Sequence, residues 1–286
     1  MRLLRIIGVL VLAMALGACS AIKLGYANLP QFGYWWIDRY LDFDEAQSHR
    51  VRAELQALHT WHRRQELPKV VALLGQVERA MPGPIAARQA CDWFSQLQDH
   101  LRAVADHAEP AVVSTAMSLT PRQLRRLQRQ YHKRDDEFRR DWIEVPAAEQ
   151  KDKRFDQLIE RAEMVYGRLG DAQRAALRGT LEGSPFDAAR VLAEREKRQQ
   201  DLLETLRRVT TPGLAVDDAR KLMRAAYERV LAPTDPASRQ YQQAVIEDGC
   251  RSFALLHAST TAQQRDQAVR RLRAWQRDLG ELAAQP

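Results

Sequence analysis

Leu119-Thr120-Pro121-Arg122-Gln123-Leu124-Arg125-Arg126-Leu127-Gln128-Arg129-Gln130-Tyr131 opens a stretch that runs on to Trp142 and decides the fold. Its apolar residues Leu124, Leu127, Tyr131, Phe138 and Trp142 recur at helical spacings, so one stripe of a helix over 121–143 must be buried against another element. The start is equally well marked. Thr120 supplies an N-cap hydroxyl, Pro121 lacks only an N–H that the first turn leaves unpaired anyway, and Gln123 stands where its amide returns to the cap.

The same alternation of threes and fours recurs at Val51, Leu55, Leu58 and His62, and again at Ala268, Leu272, Trp275, Leu279 and Leu282. Pro68, Pro84, Pro146 and Pro236 open further helices. Ala, Leu, Arg, Gln and Glu dominate, and no stretch after Cys19 alternates with period two. The expected fold is therefore all-α: an elongated bundle of eight to ten amphipathic helices over 45–66, 68–80, 85–108, 121–143, 147–168, 171–180, 187–209, 217–231, 236–257 and 261–283. Breaks fall at Met81–Pro84, Glu109–Pro121, Gly179–Phe186, Thr211–Leu214 and Pro233–Pro236. None is long enough for a flexible linker, so residues 44–286 read as one helical domain. The 286 residues are 45% hydrophobic and 28% charged with a mean hydropathy of −0.48, which excludes a polytopic membrane protein and a disordered chain.

The first residues carry an address. Arg2 and Arg5 precede an apolar run from Ile6 to Leu16, and Leu16-Gly17-Ala18-Cys19 closes it. Eleven residues are too few to span a hydrocarbon core, for which ~20 are needed, so residues 1–18 read as a cleaved export signal. The Leu16–Cys19 string resembles the bacterial lipobox, which implies acylation of Cys19 and a membrane-anchored mature chain. Ser20 after the cysteine points to the outer membrane, with the body facing the periplasm. Removing Arg2 and Arg5 lowers the formal net charge from +7 to +5. That mild basicity at that address makes nucleic acid an unsuitable partner and favours anionic lipid or acidic envelope surfaces. With Cys19 acylated, Cys91 and Cys250 are the remaining thiols, and in an oxidising compartment the pair is expected to form a structural disulfide.

Four helix starts carry a glutamine three places after the cap: Asp44 with Gln47, Thr120 with Gln123, Gly170 with Gln173, and Thr261 with Gln264. Gly170 has no side chain to cap with. Leu119–Gln123 and Leu169–Gln173 are similar to the Leu-Thr-x-x-Gln motif of Spy- and CpxP-type periplasmic chaperones. A wider likeness rests on the lipobox, Leu24, Tyr26, Asn28, Trp36, Tyr40, Asp44–Gln47, Trp61-His62-Arg63-Arg64, Glu66-Leu67-Pro68 and the closing Thr260-Thr261-x-x-Gln264-Arg265. In these the chain resembles a family of uncharacterised all-helical proteobacterial lipoproteins. That resemblance implies a lipid-anchored helical body and transfers no catalytic residue.

Several residues stand out as candidate sites. Tyr26, Phe32, Tyr34, Trp35, Trp36, Tyr40 and Phe43 crowd into the anchor-proximal segment 19–43, as a latch on the bundle, a membrane-facing belt or a binding groove. Trp35, Trp36 and Tyr40 are the expected partner contacts there. Arg122, Arg126, Arg129 and Lys133 form a basic stripe that suits phosphates or acidic partners. His59 and His62, three apart with Glu66 or His49 nearby, have the spacing of a metal pair, yet His62 lies on a buried stripe and reads better as a core histidine; no metal or cofactor is assigned. No Gly-rich phosphate loop, nucleophile elbow or His-Glu-x-x-His occurs. The reading is a non-catalytic binding or assembly module for an envelope component. A chaperone for unfolded clients is the first alternative, and an envelope glycan or lipid hydrolase the second.

Overall fold

Proline-opened, amide-capped segments become helix starts in the computed structural model, which describes residues 22–285. Among the described residues there is no β-strand, and after a short helical stretch over 22–27 eleven longer α-helices follow one another. They are α1 (Leu29–Leu41), α2 (Glu45–Trp61), α3 (Leu67–Ala80), α4 (Ala87–Met117), α5 (Pro121–Trp142), α6 (Ala147–Tyr166), α7 (Asp171–Glu182), α8 (Ala188–Val209), α9 (Val216–Leu231), α10 (Pro236–Ala258) and α11 (Ala262–Ala284). The architecture is an all-α bundle.

Three elements depart from the sequence reading. The aromatic segment, to which no helix was assigned, folds into α1 with Pro30 in its first turn. Next, the helices expected over 45–66 and 68–80 form one rod, because a π turn at His62–Glu66 joins α2 to α3. Pro68 has no N–H, and its ring crowds the carbonyl four residues back; a wider turn moves that carbonyl aside. Glu66, 2% exposed, braces the turn by accepting bonds from Lys69 Nζ at 2.6 Å and His100 Nδ1 at 3.2 Å. Burial pushes its carboxyl pKa up, but those two donors outweigh burial and hold it below the ordinary value. The third departure is α4, expected to end at 108, which runs through Pro110 to Met117. Only the Asp106 carbonyl loses its helix donor there, and the helix is gripped on both sides of the proline.

That grip comes from two cores. Val113 and Ala116 of α4, Leu124 and Leu127 of α5, Leu203, Leu206 and Val209 of α8, and Ala219 of α9 form the first, with Tyr40 and Leu41 of α1 against them. The second gathers Met81, Phe155, Ile159, Tyr166, Leu177, Leu181, Leu256, Ala268 and Leu272 from α6, α7, α10, α11 and the turn after α3. At 1.5 Å per residue α4 is about 46 Å long, so its first half serves the second core through Trp93 and its last turns serve the first. Cys91 of α4 and Cys250 of α10 are disulfide-bonded with a Cα separation of 5.4 Å, beside the edge-on pair Trp93 and Phe253. In the second core His257, 0% exposed, donates from Nε2 to the Gly83 carbonyl at 2.8 Å and accepts the Tyr166 hydroxyl at Nδ1, 2.9 Å away.

The four glutamine starts meet in pairs. Gln47 and Gln123 exchange amide hydrogen bonds of 2.6 and 3.3 Å across 76 residues. Gln47 also donates to the Ser118 carbonyl and Gln123 to the Asp42 carbonyl, each two residues before the other helix's cap. Gln173 and Gln264 repeat the arrangement across 91 residues, at 2.7 and 3.0 Å, with the Ser259 and Arg168 carbonyls as acceptors. Each amide oxygen additionally accepts its own cap N–H. Both amide hydrogens and the oxygen of all four side chains are thereby used. One such clasp joins the start of α2 to the start of α5, and the other joins the start of α7 to the start of α11. Beside the second, Gly167 ends α6: its φ is +76°, and a Cβ there would meet the Gln267 amide at 2.6 Å.

Candidate ligand cavity

In the first core the helices stand apart where their facing residues are small. Ala108, Pro110 and Ala111 of α4 look across at Val51, Leu55 and Leu58 of α2, and Leu202 and Leu206 of α8 at Trp36, Ile37 and Tyr40 of α1, around a cavity of about 780 Å³. A second cavity of about 480 Å³ lies behind it, toward α9. The two share Ala108, Val112, Tyr131, Arg195, Gln199, Leu202 and Met223 as walls, so they lie back to back across those side chains. Each volume falls within the ~300–1,000 Å³ of small-molecule pockets.

Polar groups of the larger cavity gather mainly at the seam between α5 and α8, with Glu54 on α2 and His107 and Thr115 on α4 besides. Asp135, 3% exposed, accepts the Gln199 amide at 3.1 Å and faces Arg195 at 3.8 Å. The Arg195 guanidinium lies 4.4 Å from the Phe138 ring centre. Arg139 ties the same helices through Glu196 at 3.2 Å. Tyr131 and Tyr40 pack against each other in the cavity wall with ring centres 6.2 Å apart. Burial, reinforced by Tyr40 and Asp135, pushes the Tyr131 hydroxyl pKa up to about 12, so it stays protonated at neutral pH and is available as a donor. Arg134 is held by Glu137 at 2.6 Å. The arrangement can take an apolar body along α1, α2 and α4 and orient a polar end at the α5–α8 seam.

The expected site residues are distributed unevenly around it. Trp36 and Tyr40 line the cavity, whereas Trp35 is exposed on the outside of α1. Arg122 and Arg126 both turn to Asp42, at 2.6 and 3.9 Å, and so bind α5 to the end of α1. Arg129 and Lys133 are exposed on α5. His62 pairs through Nδ1 with the Tyr26 hydroxyl at 2.8 Å, and His59 packs on the same tyrosine ring. Burial lowers the pKa of both imidazoles. His49 is exposed, and among the described residues no group of three or more His, Cys, Asp or Glu side chains is placed to hold a metal ion. Cys19 and the export signal lie outside the described residues. Sequence reasoning passed over Ala108, Ala111, Leu202 and Met223. The one local signal was the run of small residues around Pro110 on α4.

With the cavity's walls placed, comparison with known proteins adds one result: the model of a family of unknown function, DUF6279, matches residues 39–226. The chain belongs to that family. The DUF6279 match begins inside α1 and ends inside α9, so it takes in the cavity walls from Tyr40 to Met223. No curated protein and no solved structure matches the chain.

Proposed function

We propose that the chain is a non-catalytic, lipid-anchored envelope protein whose first core binds an apolar ligand. The observation that carries this is the cavity of about 780 Å³ between α1, α2, α4, α5 and α8: a void lined by aliphatic and aromatic side chains, with a few polar groups mainly along one seam, is the form small-molecule sites take. The lipobox at Leu16–Cys19 and Ser20 support outer-membrane anchoring of a periplasmic body. No helix among the described residues is long and apolar enough to cross a membrane. The Leu-Thr-x-x-Gln strings lend no weight to a client-binding surface, because Gln123 and Gln173 are buried in the clasps.

The test uses the mature chain with Cys19 replaced by alanine and titrated with the apolar fluorophore N-phenyl-1-naphthylamine. Saturable binding to one class of site is expected, and Ala111→Trp, which fills the space from α4, should weaken it at least tenfold without changing helix content. Equal binding by parent and A111W would place the probe elsewhere and remove the proposal.

A further inference from the structure

The aromatic helix α1 has two faces of different character. Its inner face is fixed to the body: Tyr34, 6% exposed, donates to Ser48 Oγ at 2.9 Å and carries the Arg52 guanidinium 3.5 Å above its ring. The turn before it is held by Tyr26 on His62 and by Lys23 on Asp278 and Glu281. The hydrogen bonds Asn28 N to Leu24 O and Phe32 N to Asn28 O carry the helical ladder from that turn into α1. The outer face is bare: Leu24 is 68% exposed, Leu29 55%, Phe32 52%, Trp35 55% and Trp36 63%.

On a helix of 3.6 residues per turn these five side chains project within about 140° of one another. The only charged residue inside that arc is Arg39, exposed in the last turn. The helix's acid, Asp38, falls outside it and accepts the Phe43 N–H at 2.9 Å. An arc of tryptophan, phenylalanine and leucine with a single cation and no anion is the pattern of a helix lying in a bilayer surface, where indoles seat at the head groups and an arginine meets phosphate. Its position along the chain fits the same partner: Ile22, where the described helical residues begin, is three residues from Cys19, so the lipid anchor proposed above, on which this inference rests, holds this face at the membrane.

We propose that the outer face of α1 (Leu24, Leu29, Phe32, Trp35 and Trp36, with Arg39) lies in the interfacial layer of the anchoring membrane as a fixed docking plate. This surface meets the ligand cavity at Trp36, whose edge it sets against lipid.

The experiment is tryptophan quenching of the mature protein on vesicles of phosphatidylethanolamine and phosphatidylglycerol with brominated acyl chains. Trp35 and Trp36 are two of six tryptophans, so about a third of the emission should be quenched, and the Trp35→Phe/Trp36→Phe variant should lose at least two thirds of that quenching. Phe32→Glu, at an exposed site that leaves packing intact, should lower it as well. Equal quenching of parent and double variant overturns the proposal, as does protein that stays in the supernatant with unquenched tryptophans. A concentration-dependent dimer of the acyl-free chain that Phe32→Glu dissociates overturns it too, by giving the face to a second copy. Probe binding in the cavity is measured in solution without vesicles, so either reading can fail alone.

Discussion

Around the Gln47–Gln123 clasp the first core leaves about 780 Å³ unfilled, whereas beside the Gln173–Gln264 clasp the second core closes over Met81, Tyr166 and His257 at 1, 1 and 0% exposure. The joints match bond for bond, yet the contents differ. Helix starts fix where two helices begin relative to each other; the volumes of the side chains further along decide whether the space between them fills. In the first core alanines and a proline of α4 face the middle, and in the second Phe155, Tyr166 and Met81 occupy it. One half of the molecule is thus a packed frame, and the other a frame around a space.

The largest effect that tests this contrast is Tyr166→Ala, which empties a closed site and strips His257 Nδ1 of its donor. It should cost about 3–5 kcal/mol in urea unfolding, while Leu202→Ala, beside an existing void, should fall at or below about 2 kcal/mol; equal losses would erase the distinction. Next come the clasps. Gln47→Ala and Gln173→Ala each leave a backbone carbonyl, a cap N–H and the buried partner amide without their bonds and should cost about 1–3 kcal/mol. In the Gln47→Ala/Gln123→Ala cycle the double variant should lose less than the sum of the singles. Additive losses would show that the amides act as separate caps.

Acid sharpens the comparison in the filled half. Burial, aided by the nearby Arg265, holds His257 below the ordinary imidazole value of 6.5. The unfolded chain therefore binds more protons than the folded one as pH falls below 6.5, and stability that is complete above that value drops until the folded-state pKa is passed. Urea midpoints should be level above pH 7 and decline below 6.5, with the decline reduced in His257→Gln. A midpoint that rises in acid would reverse the assigned sign. The smallest effect belongs to the hollow half. Ala111→Phe should leave stability within about 0.5 kcal/mol because it grows into free space, while Ala268→Phe, at a 0% exposed position of α11, should cost about 1–3 kcal/mol by overpacking.

The repeating stripes of α5 and α11 were legible because helical burial is a local pattern: Leu124, Leu127, Ala268, Leu272 and Leu282 all lie below 9% exposure. Each glutamine start was legible for the same reason. Their pairing was not, since a partner 76 or 91 residues away leaves no mark in the spacing of either box. Pro110 suggested a break because the cost of a proline is local, while the packing that keeps α4 continuous comes from two distant cores. Trp36 and Tyr40 were singled out as aromatic residues near the anchor, but which ring faces body, cavity or outside depends on helical phase, and no helix had been assigned to them. The cavity itself was hidden, because an apolar stripe reads alike whether it meets a neighbour or a void.

The clasps have a consequence for where this molecule can work. A primary amide neither takes up nor releases a proton between the pH values at which carboxylates and imidazoles titrate, and dissolved salt does not screen a neutral pair. The ties that pin helices from outside, Arg122 on Asp42 and Arg224 on Glu109, are charged and exposed on the arginine side, and they slacken in brine or acid. Under such stress the molecule gives way first at its rim, while the starts of α2 and α5 and of α7 and α11 stay joined. The chain carries weatherproof hinge pins under a skin that can loosen.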